Sequence, residues 1–296
     1  MFIRITSGEA SLLNGVIESN KKGRNITLIN EQGFELGPDT GFDTFSGIRL
    51  GAVDAIAFKD GSTFGGTGAI EGQLSVGEAI YEMAPERLTG SIKLFGASLK
   101  DYVSDDDTGQ SDISLYGNVV DMIATGVTTF GGADINLQAN TLSMKRASLE
   151  AISPRGGEGG DINVGANDLI MNSAGFFTTA LTGPGGDINV DVSVMNTKDS
   201  HIEAISHEMP NVRDKYQTGD INITATDSFI NESLQLQVTS YTPGGAGNLN
   251  INAGTFIGDG TDWTASTELW IIAYQGKTGE IKINADIFDA KQVRIW

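Results

Sequence analysis

The chain has 296 residues, with 39 glycines, six prolines, no cysteine and a formal net charge of −19. The lack of cysteine excludes disulfides and thiolate metal sites, and the acidic balance argues against nucleic acid and anionic lipid surfaces, which need clustered Lys and Arg. No run approaches the roughly 18 apolar residues of a spanning helix, so direct membrane insertion is not expected.

In chain order, one short unit keeps returning. Ile3-Arg4-Ile5 reads as a faint first copy, followed by Arg24-Asn25-Ile26-Thr27-Leu28, Gly47-Ile48-Arg49-Leu50, Gly68-Ala69-Ile70, Gly90-Ser91-Ile92-Lys93-Leu94 and Ser111-Asp112-Ile113-Ser114-Leu115. The unit then sharpens: Ala133-Asp134-Ile135-Asn136-Leu137, Gly160-Asp161-Ile162-Asn163-Val164, Gly186-Asp187-Ile188-Asn189-Val190 and Gly219-Asp220-Ile221-Asn222-Ile223, with looser copies around Leu249 and Ile281. The anchoring residues advance in steps close to 22 as far as Ile135 and in longer steps afterwards, as a coil with loop insertions would.

Each unit alternates apolar and polar with the period of a strand, as in Asp187-Ile188-Asn189-Val190-Asp191-Val192. Two further apolar stretches usually follow, such as Leu169-Ile170-Met171 and Phe176-Phe177 after Ile162. The pattern predicts an all-β fold: a single-stranded right-handed parallel β-helix of about twelve coils, three short strands per coil, in one domain over residues 1–296. Residues 1–134 are expected to form regular coils of about 22 residues, and 135–296 longer coils carrying loops. An antiparallel sandwich would explain the alternation but not the returning unit. The best helical stretch, Gly77 to Ala84, is short and ends at Pro85.

The clearest chemical pattern is an outward ladder. With Ile and Val inside, Asp134, Asp161, Asp187 and Asp220 stack on one edge, and Asn136, Asn163, Asn189, Asn222 and Asn250 stack two residues further on. A cation or carbohydrate row is one reading. The favoured one is structural, because Asn amides bond well between coils and an Asp in a turn accepts backbone N–H groups. A calcium site at Asp105, Asp106 and Asp107 competes with a plain solvated turn, which is favoured because the EF-hand spacing is missing. No other cofactor is expected. The two longest coils contain loops with Arg213, Tyr216 and Trp263, residue types that sugars and proteins contact. Glu150, Glu203, Asp191 and Asp199 are the carboxylates an enzyme could use, but nothing in the sequence pairs them, so no catalytic residue is assigned. His201 and His207 read as exposed or loop histidines.

The run Gly-Gly-Asp-Ile-Asn-Val followed by an apolar strand and Ala-x-Ile-x-Ala, over Gly131 to Ile152, Gly159 to Ala180, Gly185 to Ile205, Gly219 to Val238 and Gly245 to Ala273, resembles the repeats of filamentous haemagglutinin-like exoproteins, the cyanobacterial members above all. The resemblance implies a secreted or surface-attached adhesin exported by two-partner secretion, outside a Gram-negative-type bacterium. The opening residues do not form a signal peptide. The Asn-Pro motifs of the family's export domain are also missing, so a rod segment separated from its export signal is expected. The function this implies is structural or adhesive, with a surface carbohydrate or protein as partner and with end-to-end or lateral self-association. The alternatives are a β-helical polysaccharide lyase or hydrolase, and a phage or secreted fibre protein.

Overall fold

The computed structural model describes all residues except 7, 59–62, 66–80, 83–87, 102–111, 155–156, 208–215, 259–265 and 292; at 2, 56–58, 63–65 and 81–82 it describes the backbone alone. The described residues contain strands and no helix. Nineteen strands join one sheet whose pairings are parallel, and three more form a small separate sheet. Parallel neighbours of this kind, each displaced by one repeat of the chain, fit a parallel β-solenoid.

The strands stack in three columns. In the first, Ile26 pairs with Ile48, Ile48 with Ile113, and then Ile135, Ile162, Ile188, Ile221, Leu249 and Ile281 follow in register. In the second, Phe34, Ile92, Val120, Leu142, Leu169, Met195, Phe229, Phe256 and Phe288 follow one another. The third runs Leu99, Val127, Leu149, Phe176, Ile202, Leu236, Leu269 and Ile295. Most of these side chains are fully buried and form one continuous core, whereas Phe288 and Ile295 at the C-terminal end are exposed. From Ile113 onward the first two columns are one strand per coil, as in Ile135–Lys145, and in Ile188–Ser206 and Ile221–Ser240 all three are continuous. They are longer than the short strands the sequence suggests.

Two of the expected coils are corrected. Ile48 pairs directly with Ile113, nearly three repeat lengths away. Ile92 belongs to the second column, between Phe34 and Val120, not to the first. Between them the chain leaves the stack: Ala55–Phe58 pairs antiparallel with Thr63–Gly65 and Tyr81–Glu82, and Val53 bridges antiparallel to Leu88. Ile70 lies outside the described residues. At the N-terminus Ile3 sits opposite Leu28 rather than Ile26.

The Gly before each Asp has a steric cause. A Cβ on Gly160 would lie 1.9 Å from the Ala133 carbonyl oxygen, one on Gly186 2.0 Å from that of Gly160, and one on Gly219 2.1 Å from that of Gly186. Gly247 and Gly279 continue the row at 2.3 and 1.9 Å. From Gly160 onward backbone packs directly on backbone at this corner, and only glycine fits there, whereas the earlier copies of the unit have Ser111 and Ala133 at the same position in the sequence. The corner between the second and third columns is made differently. Gly96, Ala124, Arg146, Ser173, Asp199 and Ser233 adopt φ between 48° and 64°, a left-handed turn that only one of the six makes with glycine.

Candidate functional site

The first column presents a row of carboxylates beside the glycine corner. Asp112, Asp134, Asp161, Asp187 and Asp220 stand one per coil, and the Oδ1 of each accepts a hydrogen bond from the backbone N–H of the next residue in the row. The distances are 3.1 Å to Asp134, 2.8 Å to Asp161, 2.7 Å to Asp187, 2.7 Å to Asp220 and 2.7 Å to Asn248. Asn248 passes the pattern on to Glu280 at 3.0 Å. Burial raises the Asp134 carboxyl to about 6 and also raises Asp161 and Asp187; the accepted N–H bonds oppose the rise without cancelling it.

Two residues along, Asn163 donates Nδ2–H to Asn136 at 3.1 Å, Asn189 to Asn163 at 3.0 Å, Asn222 to Asn189 at 3.0 Å and Asn250 to Asn222 at 2.9 Å. A shallow concavity of about 490 Å³ lies over this row, lined by Tyr116, Gln138, Gly165 and Asp191 among others. Both ladders therefore direct hydrogen bonds along the stack, from one coil to the next. Among the described residues no three His, Asp or Glu side chains gather as metal ligands do.

The third column's outward face is different. Its middle row reads Glu150, Phe177, Glu203, Gln237, Trp270 and Trp296, and the row beside it Ser148, Gly175, His201, Gln235, Glu268 and Arg294. Phe177 meets His201 edge-on at 5.4 Å, and Trp270 and Trp296 lie 5.6 Å apart. At the end of this face His207 stacks on Tyr241 at 5.1 Å and Tyr241 on Tyr274 at 4.4 Å. His207 stands just past the end of the strand Ile188–Ser206, as a loop residue would, whereas His201 does not. His201 lies within the strand Ile188–Ser206, half-buried, with its Nε2 3.8 Å from Glu203, and burial lowers its pKa while raising that of Glu203.

Of the loop residues singled out in the sequence, Tyr216 is half-buried, and its carbonyl accepts the Thr242 hydroxyl near the end of the aromatic face. Arg213 and Trp263 lie outside the described residues, as do Asp105, Asp106 and Asp107. Glu150 and Glu203, which the sequence could not pair, share one row with Phe177 between them. The aromatic row leaves little trace in the sequence, because its three members, Phe177, Trp270 and Trp296, come from three different coils. Comparison of the chain with protein-family models, curated proteins and solved structures gives no match.

Proposed function

We propose that this chain is a structural and adhesive segment of a secreted or cell-surface exoprotein, a rod that presents binding faces and performs no chemistry of its own. The rod is a single-stranded β-helix, right-handed as parallel crossovers are. The ten strands of its first column span roughly 45 Å at ~4.8 Å each. The observation that carries the reading is the contrast between faces. The Asp and Asn rows direct their hydrogen bonds to neighbouring coils, whereas the third column replaces repetition with Phe177, Trp270, Trp296 and the Tyr241–Tyr274 stack. Outward-facing aromatic and amide groups on a rigid scaffold, with Tyr274 and Trp296 exposed and Phe177, Tyr241 and Trp270 half-buried, suit a surface carbohydrate or protein. The Gly-Asp-Ile-Asn unit adds the likeness to haemagglutinin-type repeats, and with it export by two-partner secretion to the outer surface of a Gram-negative-type bacterium.

The alternative is a polysaccharide-active enzyme, which the placement of Glu150 and Glu203 favours. Two coils apart, they lie roughly 9–10 Å from each other, near the upper end of the ~6.5–9.5 Å used by inverting glycosidases. One experiment separates the readings: the chain is incubated with a panel of soluble polysaccharides and new reducing ends and unsaturated sugars are measured. No release is expected. Saturable turnover that disappears in Glu203→Gln would overturn the adhesive reading.

A further inference from the structure

We infer that the third-column face carries a subsite for an uncharged polysaccharide chain, centred on the ring of Phe177 and bordered along the rod by Glu150 and Glu203. The inference rests on the adhesive reading above and gives it a place and a ligand class.

Phe177 is an outward residue of the strand Gly175–Ala180, yet its ring folds back over that strand. Its Cε2 and Cζ lie 2.3 and 2.4 Å from the point where a Cβ on Gly175 would stand. The row neighbours of Gly175 are Ser148 and His201, so the glycine leaves the gap into which the ring is laid. His201 closes one side edge-on, with the ring planes at 87°. An aromatic ring laid along a sheet and flanked by polar groups matches a pyranose, which has an apolar CH face and hydroxyls around its rim.

The flanking groups supply the polar part. Glu150 and Glu203 are the row neighbours of Phe177 on its two sides. One oxygen of Glu150 accepts the Ser148 hydroxyl at 2.9 Å, which leaves the other to accept from a sugar hydroxyl. Further along the row stand Gln237 and Trp270. From Phe177 to Trp270 is three coils, roughly 14 Å, the reach of a short oligosaccharide rather than of one ring. Charge narrows the ligand class. From Glu150 to Trp270 the row has two carboxylates and no cation, Arg294 in the adjoining row is held by Glu268 at 3.0 Å, and the chain carries −19. An anionic glycan is repelled by such a surface, whereas a hydroxyl-rich neutral one is not.

Affinity electrophoresis of the whole chain tests this, in native gels containing β-glucan, xyloglucan, galactomannan or heparin. At least one neutral polymer is expected to retard the protein, and heparin is not. Phe177→Ala is expected to bind roughly tenfold more weakly, as when a contact worth about 1.4 kcal/mol is lost, and Phe177→Trp to restore binding, both with unchanged circular dichroism. The double variant Glu150→Lys, Glu203→Lys leaves the ring in place and is expected to gain retardation by heparin. Retardation of Phe177→Ala equal to the parent's overturns the subsite and leaves the adhesive reading standing. No retardation of the parent by any of the polymers overturns the subsite together with the carbohydrate form of the adhesive reading, and leaves a protein as the partner. Heparin binding by the parent, or none by the double-lysine variant, overturns the charge assignment. A parent dimer in light scattering that Phe177→Ala dissociates, without any glycan effect, gives the face to a second copy and overturns the proposal.

Discussion

The Oδ1 of Asp187 accepts the backbone N–H of Asp220 at 2.7 Å, across 33 residues of chain. What this bond requires is an acceptor oxygen, not a charge, and Asn248 fills the same role one coil beyond Asp220. Asp187→Asn is therefore expected to be neutral or mildly stabilising, because it keeps an oxygen and removes repulsion from Asp161 and Asp220. Asp187→Ala is expected to cost about 1–3 kcal/mol, the cost of an unpaired N–H in a half-buried row. Urea unfolding of the two variants checks the difference.

The glycine corner predicts a sharp contrast between two otherwise similar substitutions. Gly186→Ala places a methyl 2.0 Å from the Gly160 carbonyl oxygen, so two coils must separate, and a loss of several kcal/mol or failure to fold is expected. Gly165→Ala, on the outward face of the first column, meets nothing within 4 Å and is expected to leave Tm within a few degrees of the parent's. Thermal melts followed by circular dichroism decide it. A tolerated Gly186→Ala would mean that the coils are not packed backbone on backbone.

Inside the stack, the inward row Met122, Met144, Met171 turns polar at Thr197 and Asn231. The Thr197 hydroxyl and the Asn231 Nδ2 are buried without a hydrogen-bond partner. Removing an unpaired buried hydroxyl at nearly constant shape is favourable, so Thr197→Val is expected to stabilise by about 1 kcal/mol, read as a higher urea midpoint at unchanged slope.

Acidity should stabilise the fold. Asp101 is buried, accepts the Phe130 N–H at 3.0 and 3.1 Å, and is raised from 3.8 to about 7, chiefly by burial. Asp134 is raised to about 6. A carboxyl raised in the folded state holds its proton there while the unfolded chain has released it. Its contribution is complete below the ordinary value near 3.8 and is lost as pH rises through 6 and 7. Tm is expected to fall between pH 5 and pH 8, and Asp101→Asn to flatten that dependence. A Tm that rises over this range would contradict the assignment.

The sequence reveals the columns best where the repeat is strictest. From Gly160 to Ile223 the Gly-Asp-Ile-Asn unit marks the first column without error, because two separate demands, no room for a Cβ and an acceptor for the next N–H, fix two adjacent residues. Ile92 misleads because Gly90-Ser91-Ile92-Lys93-Leu94 alternates as any strand of this stack does, and alternation tells inside from outside but not one column from another. The left-handed corner is nearly silent in the sequence, since Ala124, Arg146, Ser173, Asp199 and Ser233 occupy it without glycine. The Phe177 platform has a local signal, an outward aromatic two residues after a glycine on the same strand. That signal is readable only once the register shows which side of the strand faces out.

The stacking order bears on how the chain acquires its shape. Each coil rests on its neighbours in sequence, so a folded edge is a template for the next stretch of chain, and structure can spread as a front without waiting for distant residues. The step from Ile48 to Ile113 is the exception, because the complementary strand arrives only after the antiparallel excursion around Val53 and Leu88. Lengthening a connection about threefold adds only about 1 kcal/mol to its closure. The excursion therefore adds little to the equilibrium cost and acts mainly as a pause, which divides the stack into an early segment and a long run that can zip up behind it.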